Sequence, residues 1–501
     1  MVDHPPAIFV VFGATGDLFN RKLAPAFFKM YQSGWLSDAF AVVGIARKPK
    51  ANEEFREQVK HAVQTHSRGI SATKLESFLP HLFYHQTHFD EDEGFETLRE
   101  LILFLDKEFH TQQNLVFYLA TLPHQFHSIS SKLKKHGLDK TNGFCRVIIE
   151  KPFGKDLQSA ALLNRQLSDV FSEEQIFRID HYLGKELVQN LLITRFANDI
   201  FQHPWNNKFV DSVQIMVAEQ TGIQNRGTYY EKAGVLNDMV QNHILQLVAL
   251  TAMDAPKSLD AKDIVTEKIK VLKQLHSSNR KGNNVVVLGQ YRQGTVDDKP
   301  VVGYREEKDV DPYSNVPTFA ALRLEINNKT WKGVPFYIRT GKRMPKNSAR
   351  IWLDFKSKTK PLFQNLSQKI HSNHLEFRIQ PDEGIALFFN VKVPGRKLEI
   401  KPYHLDFCHE CEFALNTPEA YERLLSDCLH NDKTLFTSWE ETRYAWKVLE
   451  PIKHICEHTV TECPTYLAGT WGPKEADELI EKDGRTWHAP KDYTGGKNGA
   501  Y

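Results

Sequence analysis

Up to about residue 200 the apolar positions of the chain come as short unbroken runs. They are Ala7–Phe12, Phe40–Ile45, Leu115–Leu119 with Asn114 before it, and Val147–Ile149 after Arg146. Runs without polar positions suit strands buried on both faces of a parallel sheet. The stretch from about Leu18 to Ser33 reads as helix, and helical or loop segments separate the later runs. Strand–helix–strand alternation of this kind predicts a doubly wound parallel sheet. The pattern then changes. Ala321–Ile326 and Leu375–Gln380 alternate apolar and polar residues, and segments 209–218, 335–340, 350–355 and 384–391 also read as strands. Alternation with period 2 predicts antiparallel strands with one buried and one wetter face. Between Gly234 and Met253 apolar residues at helical spacing predict one amphipathic helix.

Length and charge narrow the class. At roughly 150 residues per domain, 501 residues suggest about three domains, and the single change of pattern favours two. The boundary falls near 180–200, taken as 1–180 and 181–501. With 64 Lys plus Arg against 62 Asp plus Glu, the net charge is +2. That balance gives no basic excess for nucleic acid or a membrane surface. No apolar stretch approaches the roughly 18 residues of a membrane span. The run Ala7–Phe12 has no basic segment before it and is short for a signal peptide. Six cysteines do not suggest a secreted disulfide framework. A cytoplasmic protein is expected.

Four places carry candidate chemistry. The first strand runs into Gly13-Ala14-Thr15-Gly16-Asp17-Leu18 at the start of a helix. Glycines there let the backbone approach a pyrophosphate, and the helix start offers free N–H groups. Only two of three fingerprint glycines are present, and such turns are often only turns, so spacing leaves both readings open. Arg47 and Lys48 follow the second run, where an acidic residue would hold the ribose of NAD; a cation there suits the 2′-phosphate of NADP. Arg178-Ile179-Asp180-His181-Tyr182-Leu183-Gly184-Lys185-Glu186 gathers donors before a helix, either an anion clamp or an exposed loop. His243 lies in the apolar stripe of the Gly234–Met253 helix, either as a core histidine or as a general base. Asp238, five residues earlier, is expected about 140° away around an α-helix. Cys408-His409-Glu410-Cys411 has zinc-ligand chemistry but no second pair at the proper distance, so no metal is expected.

Together these segments resemble glucose-6-phosphate dehydrogenase. The Arg178–Glu186 segment looks like that family's active-site signature without a change. Gly13–Leu18, Glu150-Lys151-Pro152-Phe153-Gly154, Met239-Val240-Gln241-Asn242-His243 and Gly333–Phe336 running on to Gly341-Lys342 match in family order. The resemblance implies an N-terminal Rossmann-like domain (α/β) that binds NADP. It implies a C-terminal α+β domain for substrate and oligomerisation, with a large mainly antiparallel sheet backed by helices. It implies oxidation of glucose 6-phosphate to 6-phosphoglucono-lactone, at the entry to the pentose phosphate pathway, by a homo-oligomer, dimer or tetramer. Carried over residue by residue, His243 resembles the general base and Asp180 its partner carboxylate. His181, Tyr182 and Lys185 resemble the sugar-phosphate clamp, with Lys342 or Lys346 as a further cation. Lys151 resembles the lysine between sugar and nicotinamide, and Glu219 and Asp238 resemble carboxylates that receive sugar hydroxyls. Gly13, Thr15, Gly16, Asp17, Leu18, Lys22, Arg47 and Tyr118 resemble coenzyme contacts, as does Lys151. Two departures stand out. Phe19 occupies the family's usual small residue, where helix and strand pack closely. Some members hold a second, structural NADP with arginine and aromatic residues. Arg378 matches one such position, but Trp471 stands where that site wants arginine. Rival readings are another hexose phosphate, NAD in place of NADP, or a silent NADP-binding protein. The intact His243, Asp180 and Lys185 argue against the last.

Overall fold

The computed structural model describes residues 4–180, 182–277, 285–357, 363, 370–395, 398–409, 420–459 and 463–490. Contacts divide the chain into two units. The first comprises Met1–Gly184, Ser258–Val265 and Pro418–Arg443, and the second Lys185–Lys257, Thr266–Thr417 and Tyr444–Tyr501.

The first unit is built on β1 (Ala7–Phe12), β2 (Phe40–Ala46), β3 (Leu82–Gln86), β4 (Leu115–Leu119), β5 (Cys145–Ile149) and β6 (Ile176–Ile179). They lie parallel in the order β6-β5-β4-β1-β2-β3, which is doubly wound, with its topological switch between β4 and β1. Every residue of β1, β2 and β4 is buried, as their unbroken apolar runs require. A two-residue strand, Phe436–Thr437, pairs antiparallel with Ile179 and Arg178 and extends the sheet past β6. Glu173 anchors it: the carboxylate takes a two-pronged bond from Arg178, at 2.6 and 2.9 Å, and one from the Trp439 N–H at 2.9 Å. No local hydrophobic pattern announces so short a strand.

The ring of Phe19 has a specific solution. Helix begins at Asp17, makes a π-type turn over Phe19–Leu23 and continues as the α-helix Ala24–Gln32. Phe19 is 1 % exposed and stacks on Phe55, ring centroids 5.6 Å apart. Gly44 in β2 leaves the room: a Cβ there would come within 2.4 Å of the Phe55 ring and 2.8 Å of the Ala14 Cβ.

The second unit carries β7 (Val210–Ala218), β8 (Leu275–Ser277), β9 (Val286–Arg292), β10 (Gly294–Val296), β11 (Lys299–Val301), β12 (Phe319–Ile326), β13 (Phe336–Gly341), β14 (Ser348–Phe355), β15 (His374–Gln380), β16 (Gly384–Lys392) and β17 (Ile400–Cys408). Apart from the β10–β11 ribbon they form one sheet, β17-β16-β15-β14-β7-β13-β12-β9, with β8 on β12 and Thr465–Leu467 on β9. Pairing is mainly antiparallel, but β13 runs parallel to β7.

Two expectations are corrected here. The alternating strands β12 and β15 do not turn a face to water. Arg350 and Glu376, each 2 % exposed, pair at 2.6 Å, and Arg378 pairs with Asp406 at 2.6 Å. Arg323 bonds Glu325 at 2.6 Å and Asp483 at 2.7 Å. The polar members of the alternation are thus buried as ion pairs. The segment behind the helix Lys474–Glu481 adds further ion pairs to the sheet: besides Asp483 on Arg323, Arg485 reaches Asp211 at 2.7 Å and His488 reaches Asp354 at 2.7 Å. The second correction concerns the helix read over Gly234–Met253. Gly234 is non-helical (φ 58°, ψ 177°), and the chain then forms a π-helix, Leu236–Ile244, before the α-helix Leu245–Ala252. Turns that close from i to i+5 set residues five apart about one turn above each other, so Asp238 does not project far around the helix from His243.

Candidate functional site

In the first unit the candidate residues collect at the carboxyl edge of the parallel sheet. Gly13 follows β1 with φ +93°, and a Cβ there would lie 2.4 Å from the Ala120 carbonyl oxygen beyond β4. The turn is closed by Gly13 and Ala14 N–H groups on Ile45 O, at 2.8 and 3.1 Å, and by Gly16 N–H on Gly13 O at 2.9 Å. Thr15, Gly16, Asp17 and Lys22 are exposed and Leu18 is half-buried. Arg47 directly follows β2, beside that turn, and is exposed. Glu150 and Lys151 follow β5, and Asp180 follows β6.

Two of these differ in character from the rest. Tyr118, inside β4, is wholly buried, and its hydroxyl donates to Glu150 at 2.6 Å. The Tyr421 hydroxyl donates to the same oxygen at 3.2 Å. Burial raises the Glu150 carboxyl above its ordinary range, against the pull of both hydroxyls and of Lys151. Burial also drives Tyr118 well above the ordinary phenol. Asp180 is 3 % exposed, and one oxygen accepts the Tyr182 N–H at 3.0 Å. Tyr182 is buried. His181 lies outside the described residues.

In the second unit a cluster forms from register. β7 and β13 are parallel, with Ala218 opposite Gly341. The next residue on each strand is therefore Glu219 and Lys342, side by side although 123 positions apart. The Lys342 ammonium is 1 % exposed. It hydrogen-bonds Glu219 and sits 3.6 Å from Asp238 Oδ2. The ring of Tyr230 lies 5.2 Å from it. The Tyr229 hydroxyl donates to the other Asp238 oxygen at 3.3 Å. Burial first, and Asp238 second, raise the Tyr229 phenol. His243 is 1 % exposed on the π-helix, every residue of which is buried. Lys185 stands just before the helix Glu186–Phe196, and its ammonium bonds the Gln380 side chain.

This arrangement is set in a chain that matches two family models. Residues 10–190 match the NAD binding domain of glucose-6-phosphate dehydrogenase, and 192–488 match its C-terminal domain. The chain belongs to the glucose-6-phosphate dehydrogenase family. A glucose-6-phosphate 1-dehydrogenase of Chlamydia pneumoniae is 47% identical over 493 residues, covering 96% of each chain. The Bacillus subtilis enzyme of the same name is 43% identical over 486 residues, covering 97% of this chain and 98% of its own. A solved glucose-6-phosphate dehydrogenase in complex with its substrate glucose-6-phosphate superposes with a TM-score of 0.89 at 35% identity, over 98% of this chain and 100% of that one.

Several family positions can now be placed. Of the two alternative cations, Lys342 lies in the buried cluster and Lys346 is exposed. Arg378 is 1 % exposed and engaged by Asp406 and, at 3.0 Å, by the Asp382 carbonyl. Trp471 gives its carbonyl to Arg339 at 2.8 Å. Cys408 ends β17 and His409 follows it, while Glu410 and Cys411 lie outside the described residues. Tyr229, Tyr230 and Tyr421 were not singled out from the sequence, and Glu150 was read only as part of the Glu150–Gly154 match. Tyr229 and Tyr230 sit a few residues before Asp238, and Glu150 adjoins Lys151. Tyr421, far along the chain, carries no local signal.

Proposed function

We propose that the protein oxidises glucose 6-phosphate at its anomeric carbon to 6-phosphoglucono-lactone with NADP, the first step of the oxidative pentose phosphate pathway. What carries the reading is the parallel register of β7 and β13. It seats Glu219 against Lys342, which also lies 3.6 Å from Asp238, in the unit that also holds a buried His243. A cation flanked by carboxylates is a donor–acceptor set for a polyhydroxylated sugar, since its members can exchange partners with hydroxyl groups. His243 is the general base. The anomeric C–H bond breaks as hydride while the hydroxyl proton passes to its imidazole, whose ordinary pKa lies near neutral pH. In this reading Asp180 is the carboxylate that steadies the imidazolium. His181, Tyr182 and Lys185 hold the phosphate, with Lys342 in preference to Lys346 as the added cation. Lys151 stands between sugar and nicotinamide.

The cofactor fits the residues present. The Gly13 turn, with φ +93° and no room for a side chain beside the Ala120 carbonyl, leaves bare backbone after β1, the helix start at Asp17 adds its dipole, and Arg47 offers a cation for a 2′-phosphate. NADP, when bound, supplies the hydride acceptor. Gly13, Thr15, Gly16, Asp17, Leu18 and Lys22 frame the pyrophosphate, and Tyr118 acts through Glu150. Among the described residues no helix is long and apolar enough to cross a membrane. A cytoplasmic homo-oligomer completes the proposal.

The test is absorbance of reduced nicotinamide with glucose 6-phosphate and NADP, with NAD and unphosphorylated glucose in parallel. Prompt reduction that needs the phosphate and favours NADP is expected. His243→Asn is expected to cut turnover by about 10²-fold or more while sparing substrate binding. Near-normal turnover in that variant removes His243 from the mechanism.

A further inference from the structure

Glu150, directly after β5, is held by two hydroxyls that come from opposite ends of the chain. Tyr118 in β4 and Tyr421 in the helix Ala420–His430 both donate to its Oε1, at 2.6 and 3.2 Å. The segment Pro418–Arg443 belongs to the first unit, although the chain on either side of it belongs to the second. It is tied down beside the same sheet. Arg146 of β5 donates to the Cys428 and Leu429 carbonyls at 2.6 and 2.8 Å, and Lys433 donates to the Ile176 carbonyl at 3.0 Å and to that of Glu173. Burial first, and the Glu150 charge second, hold both phenols above their ordinary range, so they keep their protons and remain donors. Two such donors on one oxygen stabilise the carboxylate as an anion. Its charge is fixed in place before any ligand arrives, the condition under which a buried charge acts most strongly.

The order of the strands decides which end of a dinucleotide meets this charge. As proposed above, the pyrophosphate takes the Gly13 turn after β1, and the 2′-phosphate takes Arg47 after β2. In the sheet, β2 lies on one side of β1, and β4 and β5 lie on the other. The nicotinamide end is left the side of β4 and β5, where Lys151 follows Glu150. The oxidised nicotinamide ring carries one positive charge, and the hydride that it accepts cancels that charge. An anion on that side therefore attracts the oxidised form and has no charge to attract in the reduced form.

We propose that the Glu150 carboxylate, held by Tyr118 and Tyr421, distinguishes the two redox states of the coenzyme, tightening oxidised NADP while leaving reduced NADP unaffected. It promotes exchange of the spent coenzyme for fresh without touching the sugar. The inference rests on the coenzyme reading proposed above.

The test measures dissociation constants with the full-length protein and no sugar. Reduced NADP is titrated by its own fluorescence, and oxidised NADP by displacing it. Glu150→Gln keeps the size of the side chain and an oxygen for the two hydroxyls. It is expected to weaken oxidised NADP about tenfold and to leave reduced NADP within about twofold of wild type. A merely structural role would weaken both forms alike. Equal weakening of both, a larger loss for the reduced form, or no loss at all overturns the inference and leaves the coenzyme site standing. A wild type that binds neither form overturns the proposed function and this inference with it.

Should Glu150→Gln not fold, Tyr421→Phe carries the test through pH. Among the described residues the titratable groups facing Glu150 are Tyr118, Tyr421 and Lys151. Burial raises the carboxyl and the two hydroxyls oppose it, so the loss of one hydroxyl lets the carboxyl take up its proton at a higher pH. Between pH 8 and pH 6 the preference for oxidised over reduced NADP is expected to fall about twofold further in Tyr421→Phe than in the wild type. The 2′-phosphate titrates in both forms and cancels from the ratio. Parallel pH profiles overturn the inference.

Discussion

Lys342→Met keeps most of the side chain and deletes its charge. In the wild type the ammonium is 1 % exposed, hydrogen-bonded to Glu219 and 3.6 Å from Asp238. At an effective dielectric constant of about 20, unit charges at that separation attract by about 5 kcal/mol. Two effects reduce the net loss. The methionine has no charge to desolvate, and Glu219, with a side chain 33% exposed, is screened by water. Removing one partner of a buried pair then costs about 3–5 kcal/mol, because Asp238, its side chain 3 % exposed, loses the charge of Lys342. The unfolding transition is expected to fall by about 5–10 °C, followed by tryptophan fluorescence. The KM for glucose 6-phosphate is expected to rise about tenfold or more, the loss of one charge-assisted contact. The double variant Lys342→Met/Asp238→Asn separates charge from shape. With both charges gone it is expected to recover about 2 kcal/mol or more, since a buried ion pair replaced by neutral groups is often near neutral. Lys346→Met, at an exposed position, is expected to stay within about 0.5 kcal/mol of wild type. A Lys342→Met protein that melts within 1 °C of wild type, or a double variant no better than the single, would refute the reasoning. A KM that responds to Lys346 and not to Lys342 would exchange their assignments.

Gly44→Ala is expected to cost about 1–3 kcal/mol, because the new methyl meets the Phe55 ring that supports Phe19; undiminished thermal stability would mean that the ring steps aside freely. Arg47→Ala is expected to lower the NADP-over-NAD ratio of kcat/KM about tenfold, and an unchanged ratio removes Arg47 from the 2′-phosphate. Asp427 is pushed up to about 7, by burial first and by the Asp432 carboxylate second. The folded protein therefore keeps a proton that the unfolded chain gives up near pH 4. The stability linked to that proton is full below about pH 4 and lost as pH rises through about 7. Asp427→Asn is accordingly expected to gain on the order of 1 kcal/mol in urea unfolding at pH 8 and less at pH 5, and an equal gain at both would contradict the assignment.

The strand runs Ala7–Phe12 and Phe40–Ile45 were legible because a strand covered on both faces admits no polar residue, and that constraint is local. The same holds for the Gly13 turn, where one backbone angle and one close carbonyl exclude any side chain. The Arg178–Glu186 segment was legible in a different way, through resemblance to a family. Composition could not assign its donors to a ligand.

What the chain could not disclose is whatever depends on partners far apart in sequence. Alternation in β12 and β15 gave the strands correctly and their wetter face wrongly. A polar residue reads the same locally whether water or a distant carboxylate receives it, and Arg350, Arg378 and Arg323 have carboxylates. The π-helix escaped because the spacing of apolar residues does not report whether each turn closes at i+4 or i+5, yet that choice decides where Asp238 and His243 point. The pairing of Glu219 with Lys342 follows from a parallel register inside a mainly antiparallel sheet, and Phe436–Thr437 joins β6 from far along the chain. Local sequence specified which segments would be strands and helices and which residues could do chemistry. Only long-range pairing decided which of those residues stand together, because register and ion pairing are energies between segments that neither segment carries alone.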